Sequence, residues 1–318
     1  MKLIDIYKFA VKKGMGKDPR SKAEIKRELN EAKKEFRKLK GADKKAFDRD
    51  RLVNPYADTR ILYGDPRKDI KSIMVGIDME GPEIIVADRM NERGIEHVDL
   101  VMAHHPEGAA WARFYDVMHL QVAMLNRFGI PREVGERLMK DRMGEVERAV
   151  APANHLRSVD IARLMDIPYM CVHTPADNHV ASYLQNIFDK AKPKKLSQAV
   201  MMLKNIPEYF DGLKKNAGPR LLIGEPKRDA GRIFVDMTGG TEGSKKIFSR
   251  LSQAGVGTIV AMHLSEEHFK NAKDERINVI IAGHIASDTL GLNLLLDELE
   301  KVEKIKIIPC SGFIRIRR

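Results

Sequence analysis

The 318-residue sequence predicts an α/β (α+β) protein built from two related α/β halves and preceded by a helical extension. Three observations predict it. From residue 73 onward, short β-branched runs alternate with helical segments, the pattern of a largely buried sheet covered by helices. A strand, turn, helix, strand and histidine recur in that order, with Asp78 to His105 and Asp236 to His263 at equal spacing. Charge is also unevenly placed. Residues 1–52 hold 18 Lys+Arg against 9 Asp+Glu, a local +9 of the net +11, so the rest carries only +2.

In chain order, residues 3–13 read as a helix ending at Gly14 and Gly16. Beyond Pro19, Ser21 and Glu24 form a capping box that satisfies free amides at a helix start. Ile25, Leu29, Ala32, Phe36 and Leu39 then mark one apolar stripe on a charged helix, which needs the body or a neighbouring subunit as partner. Strands are predicted at 73–78, 98–103, 169–173, 220–223, 232–237, 257–262, 278–282 and 305–309. Helices are predicted at 82–94, 114–128, 155–166, 179–191, 242–254, 265–273 and 288–301. The Met- and Arg-rich stretch 112–150 reads as a helical insertion in the first half. The expected division is a basic extension, 1–52, and a two-lobed body, 53–318. Its site belongs at the junction of the lobes.

Bulk properties exclude several classes. The two cysteines, Cys171 and Cys310, lie in apolar runs and form no disulfide framework, which fits a reducing compartment. No apolar run nears the roughly 18 residues of a membrane span, and no leader is apparent, so a cytoplasmic protein without membrane partners is expected. Aromatic residues make up 6% and no nucleic-acid module is recognisable. The alternating charges of the extension suit a solvated or subunit-bridging helix better than a nucleic-acid arm.

Three motifs follow predicted strands: His104-His105-Pro106, His173-Thr-Pro-Ala-Asp177, and Gly283-His284-Ile-Ala-Ser-Asp288. Each has a plain alternative. The histidine pair can be two polar loop residues, and each aspartate can cap the helix after it, worth roughly 1 kcal/mol without any ion. Jointly they carry more weight, because α/β sheets assemble their sites at strand C-termini. Imidazole with carboxylate suits zinc, manganese, iron or cobalt. Three histidines and two carboxylates exceed one open catalytic zinc and suit two divalent ions. His173, His263 and His268 are candidates for acid–base chemistry beside them. The Gly-rich run Thr238–Gly243 matches no phosphate-loop pattern, and a tight strand-to-helix turn explains it.

From Leu52 to Ile316 the chain resembles the GTP cyclohydrolase 1 type 2 homologue family. The resemblance rests on YGDP (63–66), IMVGIDM (73–79), MAHHPEG (102–108), VHTPAD (172–177), DMTGGTEG (236–243), MHLSEEHFKNA (262–272) and GHIASDTLGLNLLLDEL (283–299). It implies two α/β halves per subunit, a toroidal homohexamer, and a dinuclear metal centre facing an inner cavity. The family pattern HHP, H-T-x-x-D, G-H-x-x-x-E maps metal ligands onto His104, His105, Asp177, His284 and Asp288, with His173 close by. Asp288 stands where the family usually has Glu, and His105 to His173 is longer than usual, as the insertion requires. The implied function is a metal-dependent hydrolase acting on a nucleotide or other phosphorylated small molecule. The alternative is a non-enzymatic metal-binding or regulatory protein that contacts nucleic acid or protein partners.

Overall fold

The computed structural model describes residues 1–318. The elements, in order, are α1 (Leu3–Lys17), α2 (Lys22–Lys38), α3 (Gly41–Ala46), β1 (Thr59–Tyr63), β2 (Ser72–Gly76), α4 (Gly81–Glu92) and β3 (Leu100–Ala103). Next come α5 (Gly108–Ala112), α6 (His119–Arg127), α7 (Arg132–Val150), α8 (Arg157–Leu164), β4 (Tyr169–Val172) and α9 (Thr174–Ala191). The second half holds α10 (Leu196–Lys204), α11 (Pro207–Lys214), β5 (Arg220–Ile223), β6 (Arg232–Asp236), α12 (Ile247–Gln253) and β7 (Val256–Ala261). It closes with α13 (Glu266–Asp274), β8 (Asn278–Ile281), α14 (His284–Glu300) and β9 (Lys306–Pro309).

Two sheets form. The first has the order β1-β4-β3-β2-β9 and the second β5-β8-β7-β6. In each, the strand that opens the lobe is antiparallel and the inner strands are parallel. With β9 set aside, the orders coincide, so the equal Asp-to-His spacing reflects a duplicated lobe. β2, β3, β4 and β9 pair in parallel, so the first two motifs leave one edge of their sheet together. Strands β2, β3, β4 and β8 are buried throughout, as their apolar runs require.

The duplication reaches further than the sequence reading did. Gly64-Asp-Pro-Arg-Lys-Asp69 echoes Gly224-Glu-Pro-Lys-Arg-Asp229, and each turn caps a helix. The Leu3 and Ile4 amides donate to Lys68 O (3.0 Å) and Pro66 O (2.9 Å); those of Leu196 and Ser197 donate to Arg228 O (3.0 Å) and Pro226 O (3.0 Å). Helix α1 is therefore the first lobe's counterpart of α10, not part of a separable 1–52 extension. Leu3, Ile6, Tyr7, Ala10 and Val11 are buried in the largest core cluster. The helix also runs through Gly14 and Gly16 instead of stopping there. A Cβ on Gly14 would stand 2.7 Å from the Pro175 side chain, so this glycine permits contact with α9.

Helix α2 begins with the predicted Ser21–Glu24 capping box. Its stripe finds a partner in the chain itself: Ile25 and Ala32 are buried, and the Phe36 ring lies 5.1 Å from that of Phe47. Arg132 to Glu24 (2.6 Å) and Arg51 to Glu35 (2.8 Å) tie the helix down at its rim.

The predicted insertion, which holds helices α6 and α7, reaches across to the second lobe. Gln121 Nε2 donates to Gly239 O (2.8 Å) and Thr241 O (2.7 Å), and Arg142 Nε donates to Glu242 O (3.0 Å). The helix predicted at 242–254 starts only at Ile247, because Thr238–Gly243 remains a loop pressed against Gln121. Gly239 and Gly240 hold φ of +90° and +86°, a region other residues enter only with strain. No helix is long and apolar enough to cross a membrane, and both thiols are unpaired.

Candidate metal centre

His104 and His105 follow the last residue of β3. The parallel ladder continues through them: the His104 amide donates to Gly76 O (2.9 Å) and the His105 amide to Ile77 O (3.0 Å). Successive side chains therefore still alternate in direction. His104 is wholly buried, whereas His105 reaches toward the mouth of a pocket.

The two aspartates are not helix caps. α9 starts at Thr174 and α14 at His284, several residues before the predicted starts, so Asp177 and Asp288 lie within their helices. Each shares a helix face with a histidine four residues earlier. His173 Nε2 lies 3.7 Å from Asp177 Oδ2, and His284 Nε2 lies 3.5 Å from Asp288 Oδ2. Packing of α9 against α14 then brings lobe-one and lobe-two carboxylates together.

Asp288 is the hub. Its Oδ1 lies 3.4 Å from His104 Nε2, which is also 3.4 Å from Asp177 Oδ1. Its Oδ2 lies 3.5 Å from both His105 Nε2 and His284 Nε2. Donor atoms group as His104/Asp177/Asp288 and His105/His284/Asp288, with a further group of His104, His105 and His173.

The donor set fits divalent cations on three counts. Asp177 Oδ1, both Asp288 oxygens and His104 Nε2 are buried with no hydrogen-bond partner. Bare buried carboxylates cost several kcal/mol unless a cation neutralises them. The spacings also match the ~3.4 Å edge of a tetrahedral shell with bonds of about 2.1 Å. Finally, three imidazoles are pinned from behind. The Nδ1–H groups of His104, His105 and His173 donate to Val172 O (3.2 Å), Asp78 Oδ1 (2.6 Å) and Asp58 Oδ2 (2.9 Å). Carbonyl and carboxylate oxygens only accept, so each Nε2 is left with its lone pair toward the cluster.

Without a cation the cluster holds protons instead. Burial opposes charge on His104, but Asp288 and Asp177 overcome it and raise its pKa to about 10. His105 is raised to about 9 against burial by Asp288 and Asp78. Burial would raise Asp288, yet the surrounding histidines, His104 foremost, hold it far below the carboxylate range. His284 is lowered, chiefly by burial.

The second lobe adds a flanking group. The His263 ring lies 5.0 Å from that of His284, with Nδ1 3.3 Å from Glu242 Oε1. Glu242 also accepts from the Ser265 amide (2.6 Å). Burial alone would raise its carboxyl, but His263, His268 and Ser265 bring it down to about 2. His263 is correspondingly raised, first through its hydrogen bond to Glu242. Asp236, the counterpart of Asp78, is pushed up to about 6 by burial. His268, expected beside His263 in acid–base work, has both ring nitrogens engaged, with Ser265 Oγ (2.7 Å) and Gly243 O (3.0 Å). It braces the loop and has no ring nitrogen to spare.

Above the cluster lies a pocket of about 450 Å³. His105, His173, His263 and His284 line its floor, while Trp111, Phe114 and Arg157 line its wall. Asp58, Glu242 and Trp111 belong to no motif of the sequence that points to a site. Asp78 had a signal, its spacing to His105 within the repeat, without an assigned role.

Neither the family models nor the curated proteins include a match to this sequence. Among solved structures, a NIF3 superfamily protein from Sphaerobacter thermophilus superposes with TM-score 0.70 at 22% identity, over 90% of this chain and 98% of that one. Reduced HcgD from Methanocaldococcus jannaschii aligns at TM-score 0.47 and 16% identity, over 82% and 91% of the two chains. A Bacillus cereus protein related to NIF3 aligns at 0.42 and 12%, over 91% and 99%. The class that the Sphaerobacter thermophilus structure defines for this chain is a fold, that of a NIF3 superfamily protein.

Proposed function

We propose that the chain is a two-metal hydrolase of the cytoplasm, acting on a nucleotide or another phosphorylated small molecule. One observation carries the reading: Asp288 turns one oxygen to His104 and the other to His105 and His284, with both oxygens otherwise unpartnered. That is the disposition of a carboxylate shared between two cations. His104, Asp177 and Asp288 would hold one; His105, His284 and Asp288 the other; His173 flanks the first. Zinc, manganese, iron or cobalt suits these donors. Such a pair, when bound, supplies Lewis acidity and activates water at neutral pH.

The chain's own residues do the rest. Asp78 and Asp58 fix the ring orientation of His105 and His173. Glu242 holds His263 beside the pocket, placing that imidazole to pass a proton to or from a bound molecule. We also read the chain as a ring-shaped homo-oligomer. Ile85 and Val86 of α4 and Leu164 of α8 are exposed apolar side chains on two helices that pack together, which supports a subunit contact there.

The test is to load the purified protein separately with zinc, manganese, iron and cobalt and screen phosphoesters and nucleotides. The proposal expects turnover with at least one ion and its loss in Asp288→Ala. Bound metal without turnover on any compound would favour the metal-holding alternative.

A further inference from the structure

The wall of the pocket has its own chemistry, supplied by helices α5 and α8 and the segment after α5 rather than by the metal-ligating side chains. Trp111, on the short helix α5, is the only tryptophan of the chain. It packs against the small apolar cluster around Met118, Val122 and Met139 and stays partly exposed on the pocket wall. Its ring is braced edge-on by His155, with centroids 5.0 Å apart and planes at 83°. Phe114 lines the same pocket and sits over Gly240, where a Cβ would meet the phenyl ring at 3.6 Å. The charged wall residue, Arg157, is mostly exposed and already paired with Glu80 at 3.3 Å. Glu107 and Ser158 offer a hydrogen-bonding edge on the same wall.

A partly exposed indole and phenyl above a polar floor favour a flat, polarisable ligand, since aromatic faces reward stacking beyond simple area burial. A volume of about 450 Å³ admits one or two fused rings with a substituent. We propose that the pocket selects a planar aromatic or heteroaromatic ring, stacked on Trp111 and Phe114, carrying an oxygen substituent directed to the histidine floor. The direction of the oxygen rests on the metal-centre reading; the ring contact does not.

Trp111 is itself the reporter, being the chain's only indole. Benzoate and cyclohexanecarboxylate carry the same charge on rings of similar size, one planar and one puckered. Both are titrated into the full chain, with and without zinc, following Trp111 emission and calorimetric heat. Benzoate should quench emission saturably and bind about tenfold tighter than its saturated partner, a typical return for one stacked ring. Trp111→Phe should keep the preference. Trp111→Leu should erase it, with zinc content unchanged. Equal affinity for the two acids, no saturable binding of either, or a preference that survives Trp111→Leu overturns the proposal. If the preference persists although the protein takes up no zinc, the metal reading fails and the ring site stands. Zinc uptake without ring preference is the reverse.

Discussion

Gly291 of α14 lies against the carbonyl of Ala176 in α9, where a methyl group on Gly291 would stand 2.5 Å from that oxygen. The contact sits one turn beyond Asp288 and beside Asp177, so it sets the separation of the two carboxylates. At this separation Asp288 Oδ1 comes within 3.4 Å of His104 Nε2. Gly291→Ala should force the helices apart, costing about 1–3 kcal/mol of stability by overpacking. Zinc affinity should weaken with it. Denaturant titration with and without zinc checks both; unchanged zinc affinity in a destabilised variant would separate the contact from the site.

Helix α1 belongs to the first lobe. Leu3→Ala should lower stability by about 2–5 kcal/mol, as for any fully buried leucine. Deletion of residues 1–17 should yield protein that aggregates or fails to unfold cooperatively. A soluble truncated chain with an intact thermal transition would restore the extension reading.

Asp58 is fully buried and accepts from His173 Nδ1 (2.9 Å) and Thr174 Oγ1 (2.5 Å). Asp58→Asn should lower metal affinity about 10–100-fold, the usual cost of losing a carboxylate behind a ligating imidazole. Competition against a chelator measures it. No change would place His173 outside the coordination shell.

The pH dependence follows from His104 and His105, raised from 6.5 to about 10 and about 9 in the metal-free protein. Groups with raised folded pKa values stabilise fully below the unfolded value and lose that contribution as pH climbs through the folded one. Metal-free protein should therefore lose stability between about pH 7 and 10. Metal must displace those protons, so binding should release protons at neutral pH and tighten as pH rises. Calorimetry of zinc binding in buffers of different ionisation heat counts the protons; zero release contradicts the coupling.

The candidate ligands were legible in the sequence because each of the three motifs follows a strand, where a polar residue after an apolar run stands out. The helix starts were not legible. Asp177 and Asp288 resemble caps, and only tertiary packing shows the helices beginning earlier. The helix of α1 was legible, but its place in the first lobe was hidden by its lysines, which cover the outer face of a helix whose inner face is apolar. Gly14 and Gly16 imitated a stop, although Gly14 serves an interhelical contact. Asp58 escaped because β1, the edge strand after it, is only partly buried and shows no alternation. Partners such as Asp58 and Glu242 are acceptors whose importance depends on what the fold brings to them.

The most direct test is the metal content of the purified chain after loading and desalting, by elemental analysis. The account predicts up to two transition-metal ions per chain. His105→Ala should lower the count toward one, and Asp288→Ala, which removes the shared carboxylate, should lower it toward zero, both remaining folded by circular dichroism. Equal metal content in the parent chain and the folded Asp288→Ala variant would contradict the shared-carboxylate centre.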